Sequence, residues 1–307
     1  MIEIQTSFEN LSYRESVPVR STVIRENKFL KVMMLGEKYY FSVLPGFHNS
    51  TLEEIDFKLK YFFETNELDF NFIDFKKKFF NIVSLDDALN NLNGEMLFVI
   101  ETLLLAIIKK THQGLFPSTH IEINELYRPD NGPSFYQNSK CLKIKIAPSS
   151  VEKCIRLINE LHRQNSTLKI RLDGNRKFEL FELIAFENKL KKNISPFSFS
   201  LIDYVEEPFK NFSDTYLFLK RSELKIAMDE SFLTLKSLSE KDFPEDIPVV
   251  IKPSLSGLST IYNWMLIHSK KRIIISSSYE HPTVKIGLDF LAAQRSFEYH
   301  GLENFLL

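Results

Sequence analysis

The sequence has little that points to a disulfide framework, a membrane or a nucleic-acid partner. It contains two cysteines, Cys141 and Cys154, in 307 residues, and these are too few and too badly spaced for a disulfide framework or a Cys-based metal site. A net charge of −1 gives no field that would attract nucleic acid, a membrane surface or an acidic partner. We therefore predict a protein of a reducing compartment that binds neither nucleic acid nor membrane.

Targeting and membrane-spanning segments are not predicted either. The chain begins Met1-Ile2-Glu3 and lacks the apolar stretch behind a basic start that a signal peptide requires. The most apolar segment, 96–108, is interrupted by Glu101 and is far shorter than the ~20 residues that cross a bilayer. We expect a buried helix there and a cytoplasmic location.

The nine glycines do not form a Gly-rich phosphate fingerprint, and this absence helps to choose the fold of the larger part of the chain. Helix-like stretches such as 151–163, 177–192 and 214–222 separate short apolar runs, which lie at 121–127, 142–146, 168–172, 202–205, 226–228, 249–251 and 273–275. Strands that alternate with helices indicate a parallel sheet. Six or seven such units without the fingerprint favour a barrel over a doubly wound sheet.

The first 95 or so residues have a different pattern. Runs of β-branched and aromatic residues predict strands at 17–23, 29–35 and 39–43, with Gly36 between the last two as a hairpin requires. A helix is predicted to begin at Leu52, and its candidate caps are Asn49, Ser50 and Thr51. This part of the chain is predicted to be a small α+β domain.

These patterns divide the chain into two domains. We predict the α+β domain over 1–95 and an α/β barrel domain over 96–287, with a final segment, about 288–307, that returns toward the N-terminal domain. No exposed apolar repeat stands out, so a monomer is expected.

Charged side chains close the predicted barrel strands. Lys143 and Lys145 alternate along one strand and therefore point to the same face. The next strands are closed, in order, by Asp173, Glu206, Asp229 and Lys252, and then by Ser276, Ser277 and Ser278. Successive members are roughly 23 to 33 residues apart, about one βα unit. Because function in such barrels lies at the C-terminal strand ends, these residues are predicted to meet there.

The carboxylates of Asp173, Glu206 and Asp229 predict a metal site. Three carboxylates that converge from adjacent strands repel one another unless a cation lies between them. Hard oxygen ligands with room for water and substrate suit Mg²⁺. The sequence therefore predicts magnesium as the cofactor.

Lysines on both sides of this site indicate removal of a proton next to a substrate carboxylate. The resulting enediolate is stabilised by a divalent ion that acts as a Lewis acid. A lysine base has an unperturbed pKa of ~10.4, and burial beside a second lysine and a metal lowers it. Lys143 is expected to lower the pKa of Lys145 in this way.

Each of these residues alone has an ordinary structural explanation. A single carboxylate after a strand is most often a solvated loop residue or a helix cap, and a Lys-X-Lys pair is most often an exposed strand face. Glu207 and Glu230, which follow Glu206 and Asp229, are interpreted as supporting acids. The complete set favours a functional interpretation because its members fall in order at successive apolar strand ends.

These motifs resemble those of the enolase superfamily and, within it, the o-succinylbenzoate synthase family of menaquinone biosynthesis. They are Lys143-Ile-Lys145, Leu172-Asp173-Gly-Asn175, Val205-Glu206-Glu207-Pro208, Met228-Asp229-Glu230-Ser231, Ile251-Lys252-Pro253 and Ile275-Ser276-Ser277-Ser278. The similarity touches nearly the whole chain and is dense over 141–280. It implies a modified TIM-type (β/α)7β barrel with an N-terminal α+β capping domain over the barrel mouth.

The resemblance also implies roles for single residues. Lys145 is implied as the base that takes the proton and then returns it to the departing hydroxyl, which gives a syn dehydration. Lys252 is implied to stabilise the enediolate from the opposite face, and Lys143 to tune Lys145. The implied magnesium ligands are Asp173, Glu206 and Asp229, and the implied substrate contacts are Asn175, Arg171, Ser276, Ser277 and Ser278.

Three functions remain open on the sequence. The first is a magnesium-dependent lyase that acts on a small-molecule carboxylate. The second is a racemase or epimerase of N-acylamino acids or dipeptides, because two lysines on opposite faces suit that reaction as well. The third is a barrel that binds a ligand without chemistry, since a barrel fold does not define a function.

Overall fold

The structure is a computed structural model that describes residues 3–19, 22–46, 48–65, 92–111, 120–229, 231 and 246–303. Its N-terminal part is α+β. Strands β1 (Ile4–Val19), β2 (Thr22–Met34) and β3 (Glu37–Ser42) form an antiparallel sheet in that order. Helix α1 (Leu52–Thr65) lies against β1 and β2.

The turn between β2 and β3 and the start of α1 are as predicted. Leu35 and Gly36 have φ of 52° and 81°, so they form a two-residue hairpin turn whose twist matches that of the strands. At the helix, the Thr51 hydroxyl accepts from the Glu54 N–H (3.2 Å), and the Glu54 carboxylate accepts from the Thr51 N–H (2.8 Å). This reciprocal pair is a capping box.

The strand predicted over 17–23 is wrong. The segment contains the end of β1 and the beginning of β2, and Val19 lies opposite Thr22 in the antiparallel register. The run of β-branched residues continues across the connection between the two strands, so the pattern gave no sign of a chain reversal.

Helix α2 (Gly94–Thr111) follows, and its central residues are almost all buried. The barrel strands are β4 (Glu125–Leu126), β5 (Cys141–Lys145), β6 (Lys169–Asp173), β7 (Ile202–Glu206), β8 (Ile226–Ala227), β9 (Val249–Ile251) and β10 (Ile273–Ile275). The accompanying helices are α3 (Val151–Gln164), α4 (Leu180–Asn193), α5 (Pro196–Ser200), α6 (Phe212–Leu219), α7 (Leu258–Ile267) and α8 (Lys285–Ala293).

The barrel strands form a closed ring. Strands β4 to β8 are parallel neighbours in chain order, and β9 pairs with β10 in parallel. Single bridges join these two sheets: Met228 pairs with Val249, Ser276 with Gly301, and Ile123 with His300. In the described part of the chain, the ring therefore has eight positions, seven strands and the pair His300-Gly301.

The C-terminal segment takes part in the barrel. His300 and Gly301 lie in the barrel wall between β10 and the start of the first barrel strand. The return of the segment at about 288–307 toward the N-terminal domain stays a prediction. Helix α8, which begins at Lys285, packs on α2, α7 and β10. The last described residues therefore complete the barrel.

Two large apolar clusters hold the molecule together. One fills the space between β5 to β8 and their outer helices. The other is continuous from β2, β3 and α1 through α2 to β9, β10, α7 and α8, so the capping domain and the barrel share one core. No helix in the described segments combines the length and apolar content that a membrane span needs.

Candidate active site

Strand register brings the predicted site residues together. Lys145 lies opposite Asp173, and Asp173 lies opposite Glu206, in adjacent parallel strands. Glu206 pairs with Ala227, and Asp229 lies two residues further on the same side. Because neighbouring strands end at the same level, their last inward side chains meet at one mouth of the barrel.

These side chains line a cavity of about 660 Å³ at that mouth. Below it, the inward-facing side chains of Tyr204, Ala227, Val250 and Ile274 form a small apolar cluster that closes the barrel interior. Of the predicted site residues, the cavity wall contains Lys143, Lys145, Asp173, Asn175, Glu206, Asp229, Lys252, Ser276, Ser277 and Ser278.

The two lysines implied in chemistry come from opposite walls. Lys145 ends β5, and Lys252 directly follows β9. Four steps separate β5 from β9 in either direction around the eight-position ring, so the strands are diametrically opposed. The three carboxylates lie on the strands between them along one side, β6 to β8. A molecule in the cavity therefore meets a lysine side chain on each of two opposite faces.

The carboxylates are nearly buried and already pair with lysines. Exposure is 8% for Asp173, 3% for Glu206 and 8% for Asp229. The Lys143 Nζ lies 2.7 Å from the Glu206 Oε1 and 3.2 Å from the Asp173 Oδ2. The Lys252 Nζ contacts the Asp229 Oδ2.

The surroundings of Lys143 hold it in the charged form. Burial alone lowers the pKa of Lys143, but Asp173, Glu206 and Asp229 outweigh burial and raise the pKa well above its ordinary value. That a charged Lys143 disfavours the charged form of Lys145, two residues away, stays a prediction.

The donor set suits a divalent ion, although the described residues do not form a site with its ligands already in place. Among the described residues, no three histidine, cysteine or acidic side chains converge at metal-binding spacing. Asp173 and Glu206 nevertheless share one cation, the Lys143 ammonium group, between their oxygens. Two buried carboxylates held by a single cation, with a third carboxylate on the next strand, are a hard oxygen set of the kind that Mg²⁺ prefers.

The serines after β10 have unsatisfied polar atoms. The hydroxyl oxygens of Ser277 and Ser278 are buried and have no hydrogen-bond partner among the residues that the structure describes, and the Ser278 N–H donates to the Glu280 Oε2 at 2.5 Å. Tyr279, which also lines the cavity, has a φ of 65°. Buried polar groups without partners and strained backbone are features that gather at binding sites.

Arg171 is placed away from the cavity, contrary to the role implied for it. Its side chain is fully buried below the cavity and pairs with Asp203 (3.1 Å) and Glu298 (3.4 Å). It also donates to the Tyr299 carbonyl oxygen (2.6 Å) and to Asn124. Arg171 points inward, as alternation with Asp173 requires, but it lies one layer of side chains too deep to contact a molecule in the cavity. It ties β6 to the C-terminal segment.

The cavity contains further polar residues that were not among the predicted site residues. Arg176 lies in its wall and is held by Glu207, which also accepts from the Asp229 N–H at 2.8 Å. Glu303 lines the cavity too, and Asn49 reaches it from the capping domain. Arg176 directly follows the predicted site residue Asn175, and this position in the sequence could have identified it as a candidate. Glu230 lies outside the described residues.

The architecture is the enolase-superfamily fold, in which an N-terminal α+β capping domain accompanies a parallel α/β barrel. No protein-family model and no curated protein matches the sequence. Solved structures with this fold are similar over nearly the whole chain at low identity.

Three of these structures illustrate the similarity. The o-succinylbenzoate synthase from Thermosynechococcus elongatus BP-1, solved with magnesium in its active site, is 15% identical with a TM-score of 0.69, over 99% of this chain and 95% of that one. The L-Ala-D/L-Glu epimerase from Bacillus subtilis is 16% identical with a TM-score of 0.68, over 99% and 89%. The dipeptide epimerase from Enterococcus faecalis V583, solved with magnesium and L-Leu-L-Tyr, is 15% identical with a TM-score of 0.67, over 99% and 88%.

Proposed function

We propose that this protein is an enolase-superfamily enzyme and a magnesium-dependent lyase. Its proposed reaction is the syn dehydration of 2-succinyl-6-hydroxy-2,4-cyclohexadiene-1-carboxylate to o-succinylbenzoate. The observation that carries the proposal is the arrangement of Lys145 and Lys252 on opposite walls of one cavity, with three carboxylates on the strands between them. The similarity to a synthase solved with magnesium supports it.

Asp173, Glu206 and Asp229 are the proposed magnesium ligands. When bound, Mg²⁺ supplies Lewis-acid stabilisation of the charge that develops on a substrate carboxylate. For these carboxylates to bind a metal, Lys143 must give up its position between Asp173 and Glu206. Its ammonium group is then available to the substrate carboxylate.

Lys145 is the proposed base. In its neutral form it takes the proton next to the substrate carboxylate, and the ammonium group so formed gives a proton to the departing hydroxyl. Because one side chain does both, the proton and the hydroxyl leave from the same face, and the elimination is syn. Charged Lys143 favours the neutral form of Lys145 before the reaction.

Lys252 and the capping domain complete the proposed mechanism. Lys252 lies on the opposite wall, so its positive charge stabilises the anion from the face that Lys145 does not use. Leu44 and Asn49 of the capping domain line the cavity and would exclude water from the bound substrate.

An ultraviolet assay of the dehydration tests the proposal. We expect turnover that is lost when a chelator removes magnesium and falls by about 10²–10⁴-fold in Lys145→Ala. Lys153→Ala, an exposed lysine on α3, is the matched control and should retain full activity. Turnover that survives chelation contradicts the metal ligands. Turnover unchanged in Lys145→Ala contradicts the assignment of Lys145 as the base. A wild type that binds the ligand without turning it over would restore the hypothesis of a non-catalytic binding barrel.

The alternative is a racemase or epimerase that acts on N-acylamino acids or dipeptides. The diametrically opposed lysines favour it as much as the lyase, because one can remove a proton while the other delivers one to the opposite face. Exchange of the α-proton of N-succinylamino acids in D₂O, measured by NMR, tests this alternative. Rapid exchange with no dehydration activity would replace the lyase proposal.

A further inference from the structure

The loops that follow β6 and β7 are held in an unusual backbone conformation. Asn175, Arg176 and Glu207 have φ of 44°, 55° and 38°, a left-handed region that residues other than glycine rarely adopt. The Arg176 N–H donates to the Glu207 carbonyl oxygen at 2.7 Å, so the two strained loops are fastened to each other. Strain of this kind persists where the surrounding structure enforces it, often at a functional site.

The Arg176 side chain is fixed on one edge. Its Nε donates to the Glu207 Oε1 at 2.9 Å, and its Nη2 donates to the Ser231 hydroxyl at 3.2 Å. Glu207 is 4% exposed at its side chain, whereas Arg176 is 37% exposed. The guanidinium group is therefore anchored to a buried carboxylate while it remains accessible from the cavity that it lines.

The other edge of the guanidinium group is available. Within the described part of the chain, Nη1 of Arg176 makes no hydrogen bond to protein. Guanidinium is planar, and its two edges can bind two carboxylates at once. An arginine held by Glu207 on one edge is thus preorganised to bind a second carboxylate on the other, with little loss of side-chain freedom.

We propose that Arg176 binds a second carboxylate of the substrate, so that the site selects dicarboxylates. This inference rests on the proposed function, in which the first carboxylate would be held by Lys143 and by the metal that Asp173, Glu206 and Asp229 would bind. Arg176 is three residues after Asp173, so its Cα lies at most about 11 Å from that of Asp173. A second carboxylate on a flexible chain, as in a succinyl group, suits a distance within this limit.

Equilibrium binding tests the proposal separately from turnover. The probes are 2-succinylbenzoate and 2-butanoylbenzoate, which differ only in that a methyl group replaces the succinyl carboxylate. Both are titrated by calorimetry in the presence of magnesium into the wild type, Arg176→Met and Arg156→Met. Arg156 is an exposed arginine on α3 outside the cavity and is the matched control.

The expected result is a difference in preference. The wild type and Arg156→Met should bind the dicarboxylate about 10- to 100-fold more tightly than the monocarboxylate, as a charge-assisted bidentate pair provides. Arg176→Met should lose this preference while its affinity for the monocarboxylate stays within about 3-fold. Equal weakening of both probes would reveal a merely structural arginine. A preference retained by Arg176→Met, or absent from the wild type, overturns the proposal as well.

The dehydration assay separates this failure from failure of the proposed function. Dehydration by the wild type with an unaltered KM in Arg176→Met contradicts the role of Arg176 and leaves the lyase intact. Loss of the dicarboxylate preference in Arg176→Met, with no dehydration by the wild type, supports the recognition site and contradicts the lyase.

Discussion

Glu101 shows how a buried carboxylate on one element can fix a loop on another. It is fully buried in α2 and accepts from the Ser259 N–H (3.2 Å), the Ser259 hydroxyl and the Leu258 N–H. These N–H groups open α7, so the carboxylate caps that helix. Residues 252–257, which begin with Lys252, lead directly into it. Burial raises the pKa of Glu101 to about 7.

Glu101 should make stability depend on pH. Between its ordinary pKa of 4.5 and the raised value of about 7, the folded state holds a proton that the unfolded state has lost, so stability falls as pH rises. The contribution is at most about 1.4 kcal/mol per pH unit in that window. Urea unfolding of the wild type and Glu101→Gln at pH 5 and pH 7 should show a smaller decrease in the variant. Equal decreases would contradict the assignment.

At the scale of elements, the close contact between the loops after β6 and β7 leaves no room for a side chain at Gly174. A Cβ built there would lie 2.6 Å from the Pro208 Cα, and neither backbone can move without displacing Asp173 or Glu206. The positions of the candidate metal ligands thus depend on a glycine whose N–H also donates to the Glu206 carbonyl oxygen at 2.9 Å.

Gly174→Ala should therefore destabilise the fold by about 1–3 kcal/mol, as overpacking typically does, and should weaken magnesium binding. Thermal unfolding and magnesium titration measure the two effects. Gly36→Asn is the control, because Gly36 has open space around it and a hairpin φ that asparagine tolerates. An alanine variant with wild-type stability would show that the loops can separate freely.

The elements themselves could largely be predicted from periodicity, but their limits could not. The helix predicted over 177–192 begins at Leu180 because Phe178 instead bridges to Phe209, and Glu179 with Glu182 caps the helix. Most of β1 was missed because polar residues interrupt it, and only pairing with β2 reveals it.

The site residues that lie at the ends of strands could be predicted from the sequence. Alternation and spacing are enough to predict that Lys145, Asp173 and Glu206 lie at one mouth of the barrel, because neighbouring parallel strands end at the same level. The depth at which a side chain lies in the barrel could not be predicted in the same way. Arg171 shares the inward face with Asp173, and only its partners Asp203 and Glu298, distant in sequence, place it in the layer below.

At the scale of the whole molecule, His300 joins the two ends of the barrel wall. Its N–H donates to the Glu122 carbonyl oxygen (2.8 Å), and its carbonyl oxygen accepts from the Asn124 N–H (2.9 Å). The imidazole Nδ1 accepts from the Ile275 N–H (3.0 Å), which leaves Nε2 to donate to the Arg295 carbonyl oxygen (3.0 Å). Burial lowers the pKa of His300 to about 4.

Protonation of His300 should therefore weaken the barrel. Between pH 6.5 and about 4, the unfolded state binds a proton that the folded state excludes, so the stability that His300 contributes is lost as pH falls through this window. His300→Ala should leave the Ile275 N–H unpaired, at a cost of about 1–3 kcal/mol at pH 7. The free energy of unfolding of this variant should also fall less than that of the wild type as the pH is lowered through this window. His120→Ala, at an exposed histidine, is the control for both measurements by urea unfolding. If His300→Ala loses as much stability at low pH as the wild type does, the loss is due to other groups.

The ring closure at His300 also bears on how the chain acquires its fold. Ile123 and His300 are about 180 residues apart along the chain, and contacts of such long range slow folding. Until they form, the first barrel strand and β10 each present an unpaired edge, which is a template for association with other chains. Refolding is therefore expected to be slow and concentration-sensitive, and its late phase should coincide with protection of the Asn124 and Gly301 amides from hydrogen exchange.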